Sequence, residues 1–198
     1  MDTIQETKLD TLTLNAGEFA DLLTGASVAM DKGKDAISRL GSVYLSAGEG
    51  KVTAKATDRY RLIVGKIAGE GELSEVQILA LDVKNILATV KANKLAREIT
   101  LTRAGDILSI AIGSTTFNVI IPDSHPFPPY EHLIEGESVP VGAISFNASY
   151  MADFAKVPCS HKGGQLVMEF LGEAKPIKVT IPHNSIKWSA LLMPMRVR

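Results

Sequence analysis

The feature of this 198-residue sequence that most constrains its fold is an order of patterns that occurs three times. Each copy begins with a short alternating segment, continues with apolar residues at helical spacing, and ends with three further alternating segments. Alternation with a period of two predicts strands, and apolar residues three or four positions apart predict an amphipathic helix. Because a unit repeated along a chain is typical of repeat architectures, the sequence predicts an α+β fold built of βαβββ half-domains.

The first copy runs from about residue 12 to residue 67. Asn15 is expected to cap its helix, because a short amide side chain can accept hydrogen bonds from the first free backbone N–H groups. The apolar side of that helix is made of Phe19, Leu22, Leu23, Ala26 and Met30. The helix is predicted at residues 17–30, and the strands at 12–15, 41–46, 52–56 and 61–67.

The second copy follows the same order and ends in a proline-rich connector at residues 122–130. Proline lacks the backbone N–H that helices and central strands need, so this connector is expected to cross between elements. Asp82 is the predicted helix cap of this copy. The apolar side of its helix is Val83, Ile86, Leu87 and Val90, and its strands are predicted at 76–79, 98–102, 107–112 and 116–121.

The third copy begins near residue 143, and Asn147 is the predicted cap of its short helix. The apolar side of that helix is Tyr150, Met151, Phe154 and Ala155, and its strands are predicted at 144–146, 166–171, 177–181 and 187–193.

Composition excludes some classes of protein. The 21 basic and 22 acidic residues give a net charge of −1, which excludes a uniformly basic nucleic-acid coat but leaves room for a local basic face. The single cysteine, Cys159, cannot form an intrachain disulfide, as expected of a reducing compartment. Neither an apolar membrane span nor a signal-peptide core is visible, so a cytoplasmic protein is expected.

Residues that carry chemistry are scarce. The histidines His125, His132, His161 and His183 lack metal-ligand spacing, and no phosphate-binding glycine loop occurs. Asp123, Ser124 and His125 are adjacent in the chain, so their side chains cannot align in the relay order of a catalytic triad. The sequence therefore predicts a binding protein rather than an enzyme, with no metal and no cofactor.

Basic residues cluster on and after the second helix. At 100° per residue, Lys84 and Lys91 lie within about 20° of each other, away from the apolar side. Such side chains could contact phosphate groups without reading base sequence, or they could simply face solvent. The predicted DNA-facing residues are Lys84, Lys91, Lys94 and Arg97, with Lys156 from the third copy; Lys32, Lys34 and Arg39 follow the first helix.

Four short segments, in this order along the chain, have counterparts in one protein family. They are Ala56-Thr-Asp-Arg-Tyr-Arg-Leu62, Phe127-Pro-Pro-Tyr130, Ser145-Phe-Asn-Ala-Ser-Tyr150 and Met193-Pro-Met-Arg196. The similar segments of bacterial DNA polymerase III beta sliding clamps read Ala-Thr-Asp-Gly-His-Arg-Leu, Phe-Pro-Asp-Tyr, Gly-Phe-Asn-Val-Ser-Tyr and Met-Pro-Met-Arg. The chain thus resembles that family over about residues 12–198, with Arg59 and Tyr60 standing where the family has Gly and His.

This resemblance implies a ring around duplex DNA, with helices on the inner face and antiparallel sheets outside. Residues 12–134 would form a clamp domain of two half-domains, similar to the family's middle domain, and residues 135–198 a half-domain similar to the end of its last domain. A first domain and one half-domain of the family have no counterpart, as expected of a shortened clamp of the kind a phage would encode. If a ring needs about twelve half-domains, four chains would complete it, and rings of two or three chains stay open.

The function that the resemblance implies is that of a non-catalytic sliding clamp, a processivity factor for a polymerase and other partners, including a clamp loader. The alternative is a monomeric peptide-binding adaptor that does not encircle DNA. In the family, a short apolar peptide from each partner docks where the middle domain meets the end of the chain. Arg61 and Arg196 are expected at the rim of this site. The matching positions are Leu40, Thr57, Arg61, Leu62, Pro128, Leu133, Leu191, Met193, Pro194, Met195 and Arg196.

Overall fold

The computed structural model describes residues 10–33, 40–122 and 126–196. The first unit consists of β1 (Asp10–Asn15), α1 (Ala16–Ser27), β2 (Ser42–Gly48), β3 (Lys51–Thr57) and β4 (Arg61–Ala68). The second consists of β5 (Glu70–Gly71), β6 (Leu73–Leu79), α2 (Ala80–Ala92), β7 (Glu98–Ala104), β8 (Ile107–Ile112) and β9 (Thr115–Ile120). The third consists of α3 (Glu131–Ile134), α4 (Ala148–Phe154), β10 (Val167–Phe170), β11 (Ile177–Thr180) and β12 (Lys187–Leu192).

The first two units exchange the strands that precede their helices, β1 and β6. β1 pairs antiparallel with β7 of the second unit, and β6 pairs antiparallel with β2 of the first. Each first strand therefore completes the sheet of the other unit, while α1 and α2 pack side by side. This reciprocal arrangement of repeated units confirms the predicted α+β fold. The two-residue strand β5 and the short helix α3 were not predicted.

The third unit extends one of the two sheets. β12 pairs antiparallel with β4, so the described strands form a seven-stranded sheet in the order β10-β11-β12-β4-β3-β2-β6 and a five-stranded sheet in the order β5-β1-β7-β8-β9. In the longer sheet, Leu191 lies opposite Leu62, and Lys187 lies opposite Lys66. One continuous hydrogen-bonded sheet thus joins the first and third units.

The predicted strand at residues 144–146 is wrong. Only Ser145 pairs there, in an isolated bridge with Met195. In the first two units, the strand before each helix (β1 or β6) pairs with a strand of the other unit. Within the described chain, the third unit has no fourth unit with which to exchange a strand. Its first segment therefore pairs only with the end of the chain.

The two long helices begin in different ways. The Asn15 side chain accepts hydrogen bonds from Gly17 N (2.9 Å) and Glu18 N (3.0 Å), as predicted. Asp82 does not cap α2, which begins two residues earlier, at Ala80. The N-cap residue is Leu79, and Ala80 N donates to the backbone oxygen of Gly41. A backbone carbonyl from the neighbouring segment therefore satisfies a donor that an Asp side chain was expected to satisfy.

Trp188 of β12 fixes the third unit to α1. Its indole ring is 2% exposed and fills a slot at Gly25 of α1 and Gly65 of β4. A Cβ atom at either glycine would lie 2.3 Å from the ring. Only the absence of both side chains lets β12, β4 and α1 approach this closely. The main hydrophobic core accordingly includes residues of all three units.

Helices long enough to cross a bilayer were not found among the described residues. The longest described helix, α2, has 13 residues, whereas a helix that spans a membrane needs roughly 20 apolar residues.

Candidate functional site

A cavity of about 240 Å³ lies where β4 and β12 meet, on the face of the sheet opposite α1. It is open to solvent, and most of its wall is apolar. The β3–β4 hairpin, the proline-rich connector, α3 and the end of β12 form the wall. Its lining residues are Leu40, Thr57, Arg59, Tyr60, Arg61, Leu62, Phe127, Pro128, Pro129, Tyr130, Leu133, Leu191 and Met193.

An aromatic cluster holds the proline-rich connector against the sheet. The Phe127 ring packs edge-on against Tyr44 at 5.1 Å and against Tyr130 at 5.8 Å. Lys55 Nζ lies 4.9 Å from the centre of the Phe127 ring and forms an ion pair of 2.7 Å with Glu75. Glu75 also accepts a hydrogen bond from Phe127 N. These contacts fix one wall of the cavity, although residues 126–130 of the connector form neither helix nor strand.

The β3–β4 hairpin is held by its own side chains. Asp58 Oδ1 accepts hydrogen bonds from Tyr60 N (3.0 Å) and Arg61 N (2.9 Å), while the Thr57 hydroxyl donates to Arg61 O (2.8 Å). Arg59 has φ = +77°, the left-handed region that glycine adopts most easily. The turn therefore keeps a glycine-type conformation although arginine occupies the position, and Arg59 carries the backbone strain.

Arg61 lines the cavity, but its guanidinium is held by carboxylates of the protein rather than left free for a ligand. The residue is 4% exposed; its Nε lies 3.1 Å from Asp58 Oδ2, and its Nη1 lies 2.6 Å from Asp153 Oδ2. The guanidinium also lies over the Tyr150 ring, 4.5 Å from its centre. Two carboxylates neutralise this charge, so Arg61 joins the hairpin to α4 and leaves no charge for a ligand.

The ion pairs of Asp153 make the attachment of the third unit sensitive to acid. Burial alone would raise the pKa of Asp153, but hydrogen bonds from Lys156 and Arg61 outweigh burial and hold this pKa below its usual range. A carboxylate whose pKa is lowered by folding stabilises the protein above its unfolded pKa, and this contribution is lost as the pH falls through the folded value. Between about pH 5 and pH 3, the urea midpoint of Asp153→Asn should therefore fall less steeply than that of the wild type. Fluorescence of Trp188, the single tryptophan, reports this unfolding, and parallel pH profiles would contradict the assignment.

Tyr60 closes one side of the cavity. Its side chain is 56% exposed, yet its ring stacks on Tyr150 of α4 at 6.0 Å. The Tyr60 carbonyl accepts a hydrogen bond of 2.8 Å from Met193 N. Elements from the first and third units therefore hold this wall together.

Eight of the eleven residues predicted for a partner site line the cavity: Leu40, Thr57, Arg61, Leu62, Pro128, Leu133, Leu191 and Met193. Pro194, Met195 and Arg196 lie outside the lining, because the chain turns away after Met193. Met195 N donates to Ser145 O, and the Met195 side chain is 54% exposed.

The prediction did not include five lining residues: Arg59, Tyr60, Phe127, Pro129 and Tyr130. All five belong to sequence segments that already carried the family resemblance.

The predicted DNA-facing residues are exposed in the described structure. Lys84 and Lys91 lie on the solvent side of α2, and Lys94 and Arg97 follow this helix. None of these four forms an ion pair with a described residue, whereas Lys156 is paired with Asp153. Lys34, Arg39 and the segment 123–125 lie outside the described residues.

The part of the chain that the structure describes contains no candidate metal site. No group of three or more His, Cys, Asp or Glu side chains is placed to hold an ion. His183 has a local structural role, since its Nδ1 accepts hydrogen bonds from Ser185 N and Ile186 N.

Comparison with solved structures gives strong overall matches. A DNA polymerase sliding clamp from Caulobacter crescentus matches with a TM-score of 0.78 and 15% identity, over 100% of this chain and 68% of that one. The DNA polymerase III beta subunit from Thermotoga maritima matches with 0.80 and 13%, over 100% and 68%. The Pseudomonas aeruginosa sliding clamp matches with 0.77 and 15%, over 100% and 69%. The chain has the sliding-clamp fold.

The sliding-clamp likeness is structural, at low sequence identity. No protein-family model matches the chain, and no curated protein does. The whole of this chain aligns, but it spans only about two thirds of each solved clamp. The sequence resemblance, which rested on four short segments, is thereby confirmed as a likeness of fold.

Proposed function

We propose that this protein is a sliding clamp that encircles duplex DNA and holds a polymerase or other DNA-processing proteins there through the cavity between β4 and β12. The observation that carries the proposal is this apolar cavity, built jointly by the first and third units of a clamp fold. Such a protein needs no bond chemistry. It acts by keeping its partner at a high effective concentration near the template.

The cavity has the features of a site for a short apolar peptide. Leu62 and Leu191 form its floor as cross-strand partners, and Met193 at its edge is 39% exposed. Methionine adapts to different apolar side chains, and grooves lined by it accept varied partners. Since the ion pairs of Arg61 are internal, apolar contact rather than charge would anchor the peptide.

The DNA-facing part of the proposal rests on α2. The unpaired cations Lys84 and Lys91 point away from the core, while α1 presents the acidic residues Glu18 and Asp21 on its outer side. Contacts between a few lysines and phosphates are weak and independent of base sequence, as a protein that slides requires.

A charge placed in the cavity should weaken peptide binding. Met193→Asp is expected to weaken binding of a polymerase-tail peptide containing Gln, Leu and Phe by about 30-fold or more, because an unpaired carboxylate in an apolar site costs about 2 kcal/mol or more. Isothermal calorimetry measures the affinity, and Trp188 fluorescence shows that the variant is folded. Met195→Asp is the matched control, since this side chain lies outside the cavity. Equal losses in both variants, or none in Met193→Asp, would place the peptide elsewhere.

DNA association should depend on the lysines of the second unit. Changing Lys84, Lys91 and Lys94 together to glutamate is expected to weaken duplex binding and to lower the slope of log K against log salt by about 2–3. Fluorescence anisotropy of a labelled duplex measures this slope. Glutamate at the exposed Lys51, Lys162 and Lys175 is the control, because three substitutions there change the net charge by the same amount. A slope unchanged by the triple substitution would mean that α2 does not face DNA.

The mass in solution separates the clamp from a monomeric adaptor. β9 and β10 are the outermost strands at one end of each described sheet, where strands of another copy could add. Light scattering should therefore give two to four chains per particle. The mass of a single chain, unchanged at high concentration, would favour the adaptor over every ring.

A further inference from the structure

The face of the seven-stranded sheet that carries the cavity also carries a row of lysines. Gly65 faces α1, since a Cβ atom there would lie 2.7 Å from Leu22, and strand alternation therefore places Lys66 on the opposite face. Cross-strand register puts four more lysines on this opposite face. The five are Lys51, Lys55, Lys66, Lys178 and Lys187.

Only two of the five lysines are neutralised. Lys55 pairs with Glu75 at 2.7 Å, and Lys178 pairs with Glu169 at 3.1 Å. Lys51, Lys66 and Lys187 are exposed and have no carboxylate partner among the described residues. Glu49 borders the same shallow depression as Lys51 and Lys66 but forms no ion pair with either. The patch formed by Lys51, Lys66 and Lys187 therefore has a positive charge.

Lys66 and Lys187 lie directly opposite each other on paired strands. Like charges in this position repel and weaken the pairing of the strands. A carboxylate between the two ammonium groups would turn this repulsion into attraction. The register thus creates a position at which an anion is favoured.

This position has a fixed relation to the cavity. Leu62 and Leu191 are opposite each other in the cavity floor. On β4, Lys66 follows Leu62 by four residues, and on β12, Lys187 precedes Leu191 by four residues. Four residues of a strand span about 13 Å. Val64 and Ser189 fill the interval on the same face. A chain leaving the cavity along the strands would reach the lysine pair after about four extended residues.

We propose that the partner segment whose apolar residues fill the cavity continues across this face and places acidic residues between Lys66 and Lys187. The inference rests on the proposed function and adds the chemistry of the partner: an apolar anchor and an acidic stretch about four residues apart. An acidic peptide fits better than single-stranded nucleic acid, because bases stack on aromatic rings and none of the described residues that line the depressions at this patch is aromatic.

Fluorescence polarisation with two pairs of labelled peptides tests the inference. Each peptide has the same anchor of Gln, Leu and Phe, a four-residue Gly-Ser spacer and four terminal glutamates or four glutamines. The extension precedes the anchor in one pair and follows it in the other. In one of the two pairs, the wild type should bind the glutamate peptide about three- to ten-fold more tightly, and high salt should remove the difference. Lys66→Glu with Lys187→Glu should abolish this preference, and the charge-matched pair Lys162→Glu with Lys175→Glu should keep it.

The outcomes separate this inference from the proposed function. Equal binding of glutamate and glutamine peptides, with the loss in Met193→Asp retained, overturns the acidic contact and leaves the cavity as the peptide site. No binding of any of the four peptides to the wild type overturns the proposed function itself. An oligodeoxythymidylate that binds only when Lys66 and Lys187 are present, while the glutamate peptides show no preference, overturns the inference in favour of nucleic acid.

Discussion

Replacing Arg61 by methionine is expected to lower the free energy of unfolding by about 3–5 kcal/mol, because it leaves the buried Asp58 carboxylate without its counter-charge and removes one of the two cations paired with Asp153. Asp58 is 8% exposed, and the Asp153 side chain is 17% exposed, so water cannot fully replace the guanidinium. Methionine preserves much of the volume of the arginine stem, which limits the contribution of a cavity to this loss. Urea unfolding followed by Trp188 fluorescence measures the change.

The neighbouring position provides the control. Arg59→Met removes the same charge from an exposed residue without an ion pair to any described group, and should change the free energy of unfolding by less than about 0.5 kcal/mol. Arg61→Met in an Asp153→Asn background should cost less than in the wild type, since one of the two carboxylates that pair with Arg61 is then already absent. Equal costs for Arg59→Met and Arg61→Met would show that the ion pairs contribute nothing to holding α4 on the hairpin.

The interior of the first two units could be predicted from the sequence because burial and periodicity agree there. Phe19, Leu22 and Leu23 recur at helical spacing, and all three are fully buried in α1. The pairing partner of each strand could not be predicted this way. Alternation shows which residues share a face, but the exchange of β1 and β6 depends on contacts between residues far apart in the chain.

The candidate site, too, could be predicted from the sequence only in part. Leu62 and Leu191 could be placed in one site only through the family resemblance, because their contact depends on the pairing of β4 with β12. The sequence gives the charge of Arg61 but not its ion-pair partners, since Asp153 lies 92 positions away. Arg59 stands where the family has glycine, yet the local hydrogen bonds of Thr57 and Asp58 hold the turn with arginine in that position.

The domain division at residues 134 and 135 stays a prediction. The described chain has one seven-stranded sheet that crosses this boundary and one main hydrophobic core with residues of all three units. Two contacts attach the third unit to the first. At the start of β4, Arg61 forms an ion pair with Asp153, and in the middle of β4, the Trp188 ring packs against Gly65. Stability measurements on the two contacts therefore test how far the third unit depends on the first.

Trp188→Ala is expected to cost about 3–5 kcal/mol of unfolding free energy, since it empties the slot between α1 and β4. Gly65→Ala should cost about 1–3 kcal/mol in the wild type, because its new methyl group would lie 2.3 Å from the Trp188 ring and 2.7 Å from Leu22. In the Trp188→Ala background most of that clash is absent. Gly65→Ala should then cost much less, so the two substitutions together should destabilise the protein less than the sum of their separate effects.

Circular dichroism in urea measures all four proteins of this cycle, as Trp188→Ala removes the fluorescent reporter. Gly48→Ala is the matched control, because no atom lies within 4 Å of a Cβ atom at that strand position. It should cost nothing in either background, since alanine fits a strand at least as well as glycine. Strict additivity of Gly65→Ala with Trp188→Ala would mean that the indole ring is not what requires glycine at position 65. The loss of stability in Trp188→Ala would then be that of an ordinary core residue.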